Sequence, residues 1–459
     1  MIDPSLRWLV VGGGSLPESN QVSIEQDLAL AAEVFTGAPG VVLFADGAGS
    51  RTVQVQRESP GPDDPVAQAL GDLFAPRGGR GARYRETTLE VGGEASGEAV
   101  LAALGAALAA PGDGPLLLYV AGHGEIGASP RDNFIDLWGL TRLHVHELAA
   151  VADAGSRPLQ VVSTTCFSGG FAELAFAAAE PTAGAAPTPR CGLFATTWDL
   201  EASGCDPNPD RRAQEGYGLH FLNALRGRDR DGGPLPAAAL DLDGDGVISL
   251  LEAHTRARIA ARGIGVPTTT SERWLREVAP AGGRVGAVAL PEEDAVIAAL
   301  REELELDGGE LTAAASTLAE IEASIDERKA ALADAQAVED AGYRRAAAAL
   351  LRRWPVLDDP WHPDFHDMYD RSRSEIAAHL EGDPSYRAYL DARAAVDDLQ
   401  GEIADLRGDA ARYERLARAI ETRALAERLA AAGGPAWERY RELLACERGP
   451  APGVGAAAR

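Results

Sequence analysis

Short apolar runs alternate with amphipathic stretches through about the first 290 residues of the chain. The runs that suit buried strands are Trp8–Val11, Val41–Phe44, Leu116–Val120, Leu159–Ser163 and Gly192–Thr197. Between them, helical spacing is found at Ile24–Phe35, Ala95–Ala110, His144–Ala154 and Phe171–Glu180. Strands that alternate with helices predict an α/β domain over residues 1–290, with helices on both faces of a mostly parallel sheet.

The pattern changes from about Pro291, where Ala, Glu, Arg and Leu dominate. Heptad spacing relates two sets of residues, which are Leu311, Leu318, Ile325 and Leu332, then Leu399, Leu406, Tyr413 and Ile420. Two heptad segments around an insert that is rich in aromatics, residues 354–389, predict a helical hairpin or coiled coil over residues 291–448. The Gly- and Pro-containing tail, residues 449–459, is expected to be disordered.

Composition narrows the classes of function. The chain has 459 residues and a formal net charge of -27, so a general basic surface for nucleic acid is excluded. No apolar run approaches the length of a membrane span, and the first residues lack a secretory pattern. Four cysteines in so long a chain, none in a C-x-x-C pair, predict neither a disulfide framework nor a zinc site. We therefore expect a soluble protein in the reducing cytoplasm.

Two of the strands run directly into reactive residues. Residues 116–127 read LLLYVAGHGEIG, and residues 159–171 read LQVVSTTCFSGGF, so His123 and Cys166 each follow a buried strand. Parallel sheets place their sites at the carboxyl ends of strands, where these residues fall. Glycines beside the histidine permit a sharp turn, and the N–H groups of a turn after the cysteine could hold an oxyanion. The pair predicts thiol chemistry.

This layout resembles clan CD cysteine peptidases, the group of caspases, metacaspases and legumains. The resemblance covers about residues 5–230 and rests on Tyr119–Gly124, Thr165–Gly169 and Phe194–Thr197. It implies a caspase-like three-layer sandwich and a His–Cys dyad. Cys166 would attack the scissile carbonyl, His123 would protonate the leaving amine, and the N–H groups of Gly124 and Cys166 would form the oxyanion hole.

The resemblance does not carry a substrate preference directly. Metacaspases have an acidic residue two positions before the cysteine, where this chain has Thr164, and the matching stretch Pro17–Asp27 lacks the arginine of legumains. Asp199 follows the strand that in legumains lines the cleft, so we expect it to bind Arg or Lys at P1. The expected substrate-binding set is Asp199, Thr164, Thr197 and Asp206. If P1 is basic, the loop Pro181–Arg190 offers a processing site at Arg190, with Arg211 and Arg212 as further self-cleavage candidates.

A separate acidic loop, Asp241–Glu252, reads DLDGDGVISLLE. It matches an EF-hand loop at every ligand position, with Gly at position 6 and Glu at position 12. The predicted calcium ligands are Asp241, Asp243, Asp245, the carbonyl of Val247, and Glu252. EF-hands normally pair, so a single loop indicates a structural or regulatory calcium ion.

These observations predict a cysteine endopeptidase that acts on specific proteins, with processing or calcium as possible controls. Three alternatives stay open. The first is a silent scaffold that works through its helical arm, which could also bind a regulatory protein; the second is a calcium sensor. The third is a transamidase, since an amine could replace water at the same thioester.

Overall fold

The structure is a computed structural model that describes residues 6–49, 51–56, 64–74, 81–110, 114–306 and 310–454. Its strands are β1 (Trp8–Gly13), β2 (Gly40–Phe44), β3 (Val53–Gln56), β4 (Ala82–Arg85), β5 (Leu116–Gly122), β6 (Gly124–Glu125), β7 (Phe134–Leu137), β8 (Thr141–His144), β9 (Leu159–Ser163), β10 (Arg190–Phe194) and β11 (Thr268–Thr269). Its helices are α1 (Val22–Val34), α2 (Pro65–Phe74), α3 (Gly97–Ala109), α4 (Val145–Ala154), α5 (Tyr217–Leu225), α6 (Leu250–Ala260), α7 (Thr270–Val278), α8 (Pro291–Glu303), α9 (Glu310–Arg353), α10 (Phe365–Gly382), α11 (Pro384–Ala432) and α12 (Gly434–Glu447).

Six strands form the main sheet, in the order β11-β10-β9-β5-β1-β2. Every pair in it is parallel except β10 with β11. Each central strand is apolar on both faces, which a sheet covered on both sides requires. Val10, Tyr119 and Val162 face a core shared with α1, α5 and α6, whereas Val11, Val120 and Val161 face a core shared with α3 and α4. The predicted α/β architecture with a mostly parallel sheet is confirmed.

The chain divides into two compact units. The first holds residues 1–55, 84–315 and 411–459, and the second holds residues 56–83 and 316–410. The predicted boundary near residue 290 therefore differs from the observed one, because α8, α12 and the end of α11 belong to the unit of the sheet. Helix α12 packs there through Tyr440 and Leu443 against Trp274 and Leu275 of α7.

The second unit is helical, as the heptads predict for this part of the chain. Within it, α9 and α11 run antiparallel, since Arg328 pairs with Glu402 at 2.8 Å while Gly342 lies directly against Tyr389. Heptad positions fill their interface, where Ile325 packs with Ile403. The insert contributes α10 and a cluster around Trp354.

The predicted disordered tail is wrong in part. Residues 449–454 are described and Ala451 is buried, while the N–H of Leu250 donates to the carbonyl of Gly449 at 3.1 Å. Residues 455–459 lie outside the described part of the chain.

Candidate active site

The carboxyl ends of β5 and β9 bring the two predicted reactive residues to one edge of the sheet. These strands are parallel neighbours, with Val120 of β5 opposite Ser163 of β9. The chain leaves β5 into His123, and it leaves β9 through Thr164 and Thr165 into Cys166. The topology therefore delivers both side chains to the place where an α/β sheet builds its sites.

Gly124 shows how closely the two segments approach each other. A Cβ atom at this position would lie 2.3 Å from the carbonyl oxygen of Cys166 and 2.9 Å from Oγ1 of Thr165. Backbone atoms cannot yield to such a clash, so only glycine allows the residue after His123 to lie against the cysteine segment. The glycine after the histidine is thus a packing requirement of the site.

The histidine ring is held from one side. Nε2 of His123 lies 2.9 Å from the carbonyl oxygen of Ser19 and 2.9 Å from Oε1 of Gln21, both just before α1. A carbonyl oxygen only accepts, so Nε2 carries the proton in neutral His123 and Nδ1 keeps its lone pair. Nδ1 is therefore the nitrogen that can act as a base. The carboxyl of Asp136 lies near the ring: burial raises the pKa of Asp136, and the charge of His123 lowers it.

The thiol of Cys166 is half-buried and capped by the segment after β10. Its S–H donates to the carbonyl of Ala202 at 3.4 Å, and the N–H of Ala202 donates back to Sγ at 3.3 Å. Burial raises the pKa of Cys166; the bond from Ala202 lowers it, and the charges of Glu201 and Glu125 raise it again. The thiol is therefore protonated at neutral pH and needs a base to become a nucleophile.

The turn after Cys166 carries backbone strain. Phe167 adopts φ 56° and ψ 16°, the left-handed region that side chains other than glycine rarely enter. Buried Asn133 holds this turn, because its amide donates to the carbonyl of Phe167 at 3.0 Å and to that of Trp198 at 2.7 Å. Its own Oδ1 accepts from the N–H of Gly127 at 2.9 Å. Asn133 therefore ties the turn to the loops that follow β6 and β10.

Two of the four predicted substrate-binding residues lie toward α1. Thr164 has its methyl group next to Gly218, where a Cβ atom would lie 3.1 Å from it and 3.0 Å from Oδ2 of Asp27. Asp206 uses its backbone to bind α1: its N–H donates to Oγ of Ser23 at 2.7 Å, and its carbonyl accepts from the Ser23 N–H at 3.2 Å. The carboxylate next to Thr164 is that of Asp27, which is buried on α1.

The other two lie in a different cavity. Thr197 donates its hydroxyl proton to Oδ1 of Asp199 at 2.7 Å, and both residues line a cavity of about 330 Å³. Its walls also carry three arginines, Arg273, Arg276 and Arg418. Each of these arginines is paired with a carboxylate, that of Glu173 or Glu272, so the cavity carries charges of both signs. That Asp199 binds a basic P1 side chain stays a prediction.

The predicted processing site at Arg190 is contradicted by its burial. Arg190 begins β10, its side chain is fully buried, and its guanidinium pairs with Asp153 at 2.6 Å and donates to the carbonyls of Leu174 and Phe176. The proline-rich segment before it is largely exposed, but Arg190 itself is part of the core. A protease therefore cannot reach this arginine in the folded chain.

The cysteines also differ from expectation. Cys191 of β10 and Cys446 of α12 form a disulfide across 255 residues, with their Cα atoms 6.0 Å apart. Persistent disulfides are typical of oxidising compartments, which stands against the expected reducing cytoplasm. Among the described residues, no helix is both long and apolar enough to cross a membrane.

The acidic loop Asp241–Glu252 combines a turn at a glycine with three neighbouring carboxylates. Gly246 has φ 84°, and oxygens of Asp241, Asp243 and Glu252 lie within 4.8 Å of one another. Asp241 accepts from the N–H groups of Gly244 and Gly246, at 2.8 Å and 3.0 Å. Ser249 caps α6, and Ile248 packs in the core. Asp243 and Asp245 are exposed, and the predicted ligand Asp245 lies outside the group that Asp241, Asp243 and Glu252 form.

Comparison with models of known protein families finds no family that matches the chain, and comparison with curated proteins finds no matching relative. The assignment of function therefore depends on the site itself.

Sequence reasoning missed Asn133, Gln21 and Asp27. Asp27 left a signal, because it lies three residues after Ile24 and four before Ala31, on the apolar face of α1. A carboxylate on that face must find a buried partner. Asn133 and Gln21 left none, since polar residues in loops carry no periodic pattern.

Proposed function

We propose that the protein is a cysteine endopeptidase of the caspase–legumain type, with Cys166 as nucleophile and His123 as general base and acid. The observation that carries the proposal is the junction of β5 and β9, where Gly124 lies against the backbone of Cys166. A histidine with a free Nδ1 and a protonated thiol at one sheet edge is the arrangement that nucleophilic catalysis needs.

The proposed reaction runs in two steps. Nδ1 of His123 takes the thiol proton as Sγ bonds to the scissile carbonyl carbon, and the imidazolium then gives that proton to the amine as the C–N bond breaks. Water next attacks the thioester, loses a proton to Nδ1, and releases the acid while the thiol is restored. The negative charge near His123, from Asp136, would stabilise the imidazolium between these transfers.

The test is hydrolysis of fluorogenic peptides with Arg, Lys, Asn or Asp at P1, together with labelling of Cys166 by peptidyl acyloxymethyl ketones. Cys166→Ala should abolish hydrolysis, a loss of at least about a thousandfold. The matched control is Cys205→Ser, which removes the other free thiol and should leave hydrolysis in place. Absence of both hydrolysis and labelling would overturn the proposal, if it is found in wild type and also in variants in which the segment around Ala202 no longer covers Cys166.

We further propose that Asp241–Glu252 binds calcium as a structural ion. Support comes from the ligand spacing and from the gathered oxygens of Asp241, Asp243 and Glu252. Calcium titration followed by thermal unfolding should raise the melting temperature of wild type, and Asp241→Asn with Glu252→Gln should remove the shift. The matched control is Asp229→Asn with Asp231→Asn, in the preceding acidic loop. An equal shift in all three proteins would refute binding at this loop.

A further inference from the structure

Arg415 of α11 buries its guanidinium among main-chain carbonyls. The residue is 2% exposed, and it lies in the part of α11 that belongs to the unit of the sheet. Its Nε donates to the carbonyl of Gly265 at 2.9 Å, and Nη2 donates to that of Gly263 at 2.7 Å. Nη1 donates to the carbonyl of Ala261 at 2.5 Å. Because a buried guanidinium is costly unless its N–H groups are bonded, these contacts fix the segment that supplies the carbonyls.

The carbonyls around Arg415 belong to the end of α6 and to the turn that follows it. We call residues 261–267, which join α6 to β11, the supporting turn. The carbonyl of Arg258 in α6 also accepts from Nη1 of Arg415, at 3.4 Å. The last carbonyls of a helix have no partner within the helix and form the negative end of its dipole, so a guanidinium is a suitable cap. Arg415 therefore determines how the chain leaves α6.

The supporting turn lies directly against the segment that caps the thiol. The N–H of Ile264 donates to Oγ of Ser203 at 3.3 Å. A Cβ atom at Gly263 would lie 2.6 Å from that oxygen and 2.8 Å from Cβ of Ser203, and one at Gly265 would lie 3.7 Å from Cβ of Ala202. The positions of Ala202 and Ser203 therefore depend on the position of the supporting turn.

Ala202 connects this segment to the nucleophile. Its carbonyl accepts from the S–H of Cys166 at 3.4 Å, and its N–H donates to Sγ at 3.3 Å. Burial is the largest influence on this thiol and raises the pKa of Cys166, while the bond from Ala202 lowers it. Displacement of Ala202 removes both influences, so the pKa of Cys166 should fall and Sγ should become more accessible.

We propose that Arg415 is a positioning residue for Cys166: it holds the supporting turn, and through Ser203 and Ala202 this turn keeps the cover over the thiol. The inference rests on the proposed endopeptidase function, since it concerns the access of a substrate to the nucleophile of that reaction. It gives the C-terminal part of α11 a role at the active site, in addition to its packing against the sheet.

The test is the second-order rate of Cys166 labelling by iodoacetamide over a range of pH, in a Cys205→Ser background that leaves one free thiol. Arg415→Ala should raise the rate at least about fivefold, the change that the loss of one ordinary hydrogen bond gives. It should also move the pH midpoint of labelling downward. Millimolar guanidinium chloride should restore the slow rate by filling the vacated site, whereas sodium chloride should not. Arg415→Lys should lie between, because an ammonium keeps the charge but makes fewer bonds.

A control and a second variant separate this role from a loss of stability. Arg428→Ala is the matched control, because Arg428 of the same helix also donates to a main-chain carbonyl, that of Pro280 at 2.9 Å. Its labelling rate should stay within about twofold of the background chain. Gly263→Ala keeps Arg415, but its Cβ atom forces Ser203 away, so it should accelerate labelling as Arg415→Ala does.

The pH midpoint can be compared among these variants because the other charged groups near the thiol are the same in all of them. They are Glu125 and Glu201, whose charges raise the pKa of Cys166, and His123.

Four outcomes would overturn the inference. They are an unchanged rate or pH midpoint in Arg415→Ala, an equal acceleration in Arg428→Ala, no slowing by guanidinium, and an acceleration that grows with urea as steeply as global unfolding. If Arg415→Ala does not fold, Arg415→Lys and Gly263→Ala decide the matter, and an unchanged rate in both refutes the role of Arg415.

Peptide hydrolysis distinguishes failure of this inference from failure of the proposed function. Labelling that responds as expected, in a chain that cleaves no peptide, would support the role of Arg415 in covering Cys166 and count against the endopeptidase. Hydrolysis that depends on Cys166, together with labelling that ignores Arg415, would support the endopeptidase and refute the role of Arg415.

Discussion

The two segments that flank the cysteine strand are attached in opposite ways. Residues 200–215, which we call the covering loop, lie over Cys166. They are held by hydrogen bonds, such as the reciprocal pair between Ala202 and Cys166, and by the ion pair of Arg211 with Asp27. On the far side of β9, the end of α12 is tied to β10 by the Cys191–Cys446 disulfide. Buried Glu447 adds to this tie, because it accepts from the hydroxyls of Thr270 and Ser271 at 2.6 Å each.

The two attachments differ in how easily the attached segment can be displaced from the cysteine strand. Water can exchange with the hydrogen bonds of the covering loop, whereas a disulfide and buried Glu447 hold the other flank in place. Cys166 therefore lies between a segment held by hydrogen bonds and an ion pair, and a framework held by a disulfide. Substitutions on the two flanks should affect different quantities: labelling of Cys166 on one, free energy of unfolding on the other.

The largest expected effect is on the fixed flank. Cys446→Ser should lower the free energy of unfolding by about 2–5 kcal/mol, because a loop of 255 residues loses its cross-link in the unfolded state. Urea denaturation measures the change, and Cys205→Ser, which removes a free thiol, should stay close to wild type. Labelling of Cys166 by iodoacetamide at low urea should change less than twofold. If the labelling rate of Cys166 instead rises in proportion to the lost free energy of unfolding, the two flanks do not act independently.

Glu447 should make the fixed flank sensitive to pH. Burial raises its pKa to about 7, although bonds from Ser271 and Thr270 lower it. The folded chain keeps this proton up to about pH 7, while the unfolded chain releases it near the ordinary value of about 4.3. The unfolded state thus binds fewer protons between these values, and stability falls as pH rises from about 4.3 to 7, by on the order of 3 kcal/mol.

Glu447→Gln should flatten this dependence, as measured by urea denaturation between pH 5 and 8. The variant should gain most relative to wild type at the alkaline end, where the wild-type carboxylate is charged and buried. An unchanged slope would show that other groups cause the pH dependence.

Asn133 ties the turn after Cys166 to the loops that follow β6 and β10, so its removal should affect both quantities. Asn133→Ala leaves the carbonyls of Phe167 and Trp198 without their donor and should cost about 1–3 kcal/mol in unfolding free energy. Phe167 would also lose the contact that holds it at φ 56°, so the labelling rate of Cys166 should change as well. Loss of stability with an unchanged labelling rate would exclude a positioning role for Asn133.

The pattern of hydrophobic residues predicts most of the strands and helices of the sheet domain. All five predicted strands are present, because each is a short apolar run between polar turns. The predicted helix Phe171–Glu180 is instead a series of 3-10 turns, and Ala178 and Ala179 have positive φ there. Backbone conformations of this kind are imposed by packing and leave no trace in periodicity.

Pairs that are distant in sequence could not be predicted. Cys191 with Cys446, and Asp27 with Arg211, meet only after the sheet has ordered its strands. The approach of His123 and Cys166 could be predicted because each residue follows its own strand, and parallel strands end at the same edge.

Asp199 provides the smallest predicted effect. It is exposed and already accepts from the hydroxyl of Thr197, so its charge adds little attraction for a substrate cation. Asp199→Asn should keep kcat/KM for P1 arginine peptides within about twofold of wild type. A larger loss in Asp199→Asn would place recognition of the basic P1 side chain in the cavity beside Asp199.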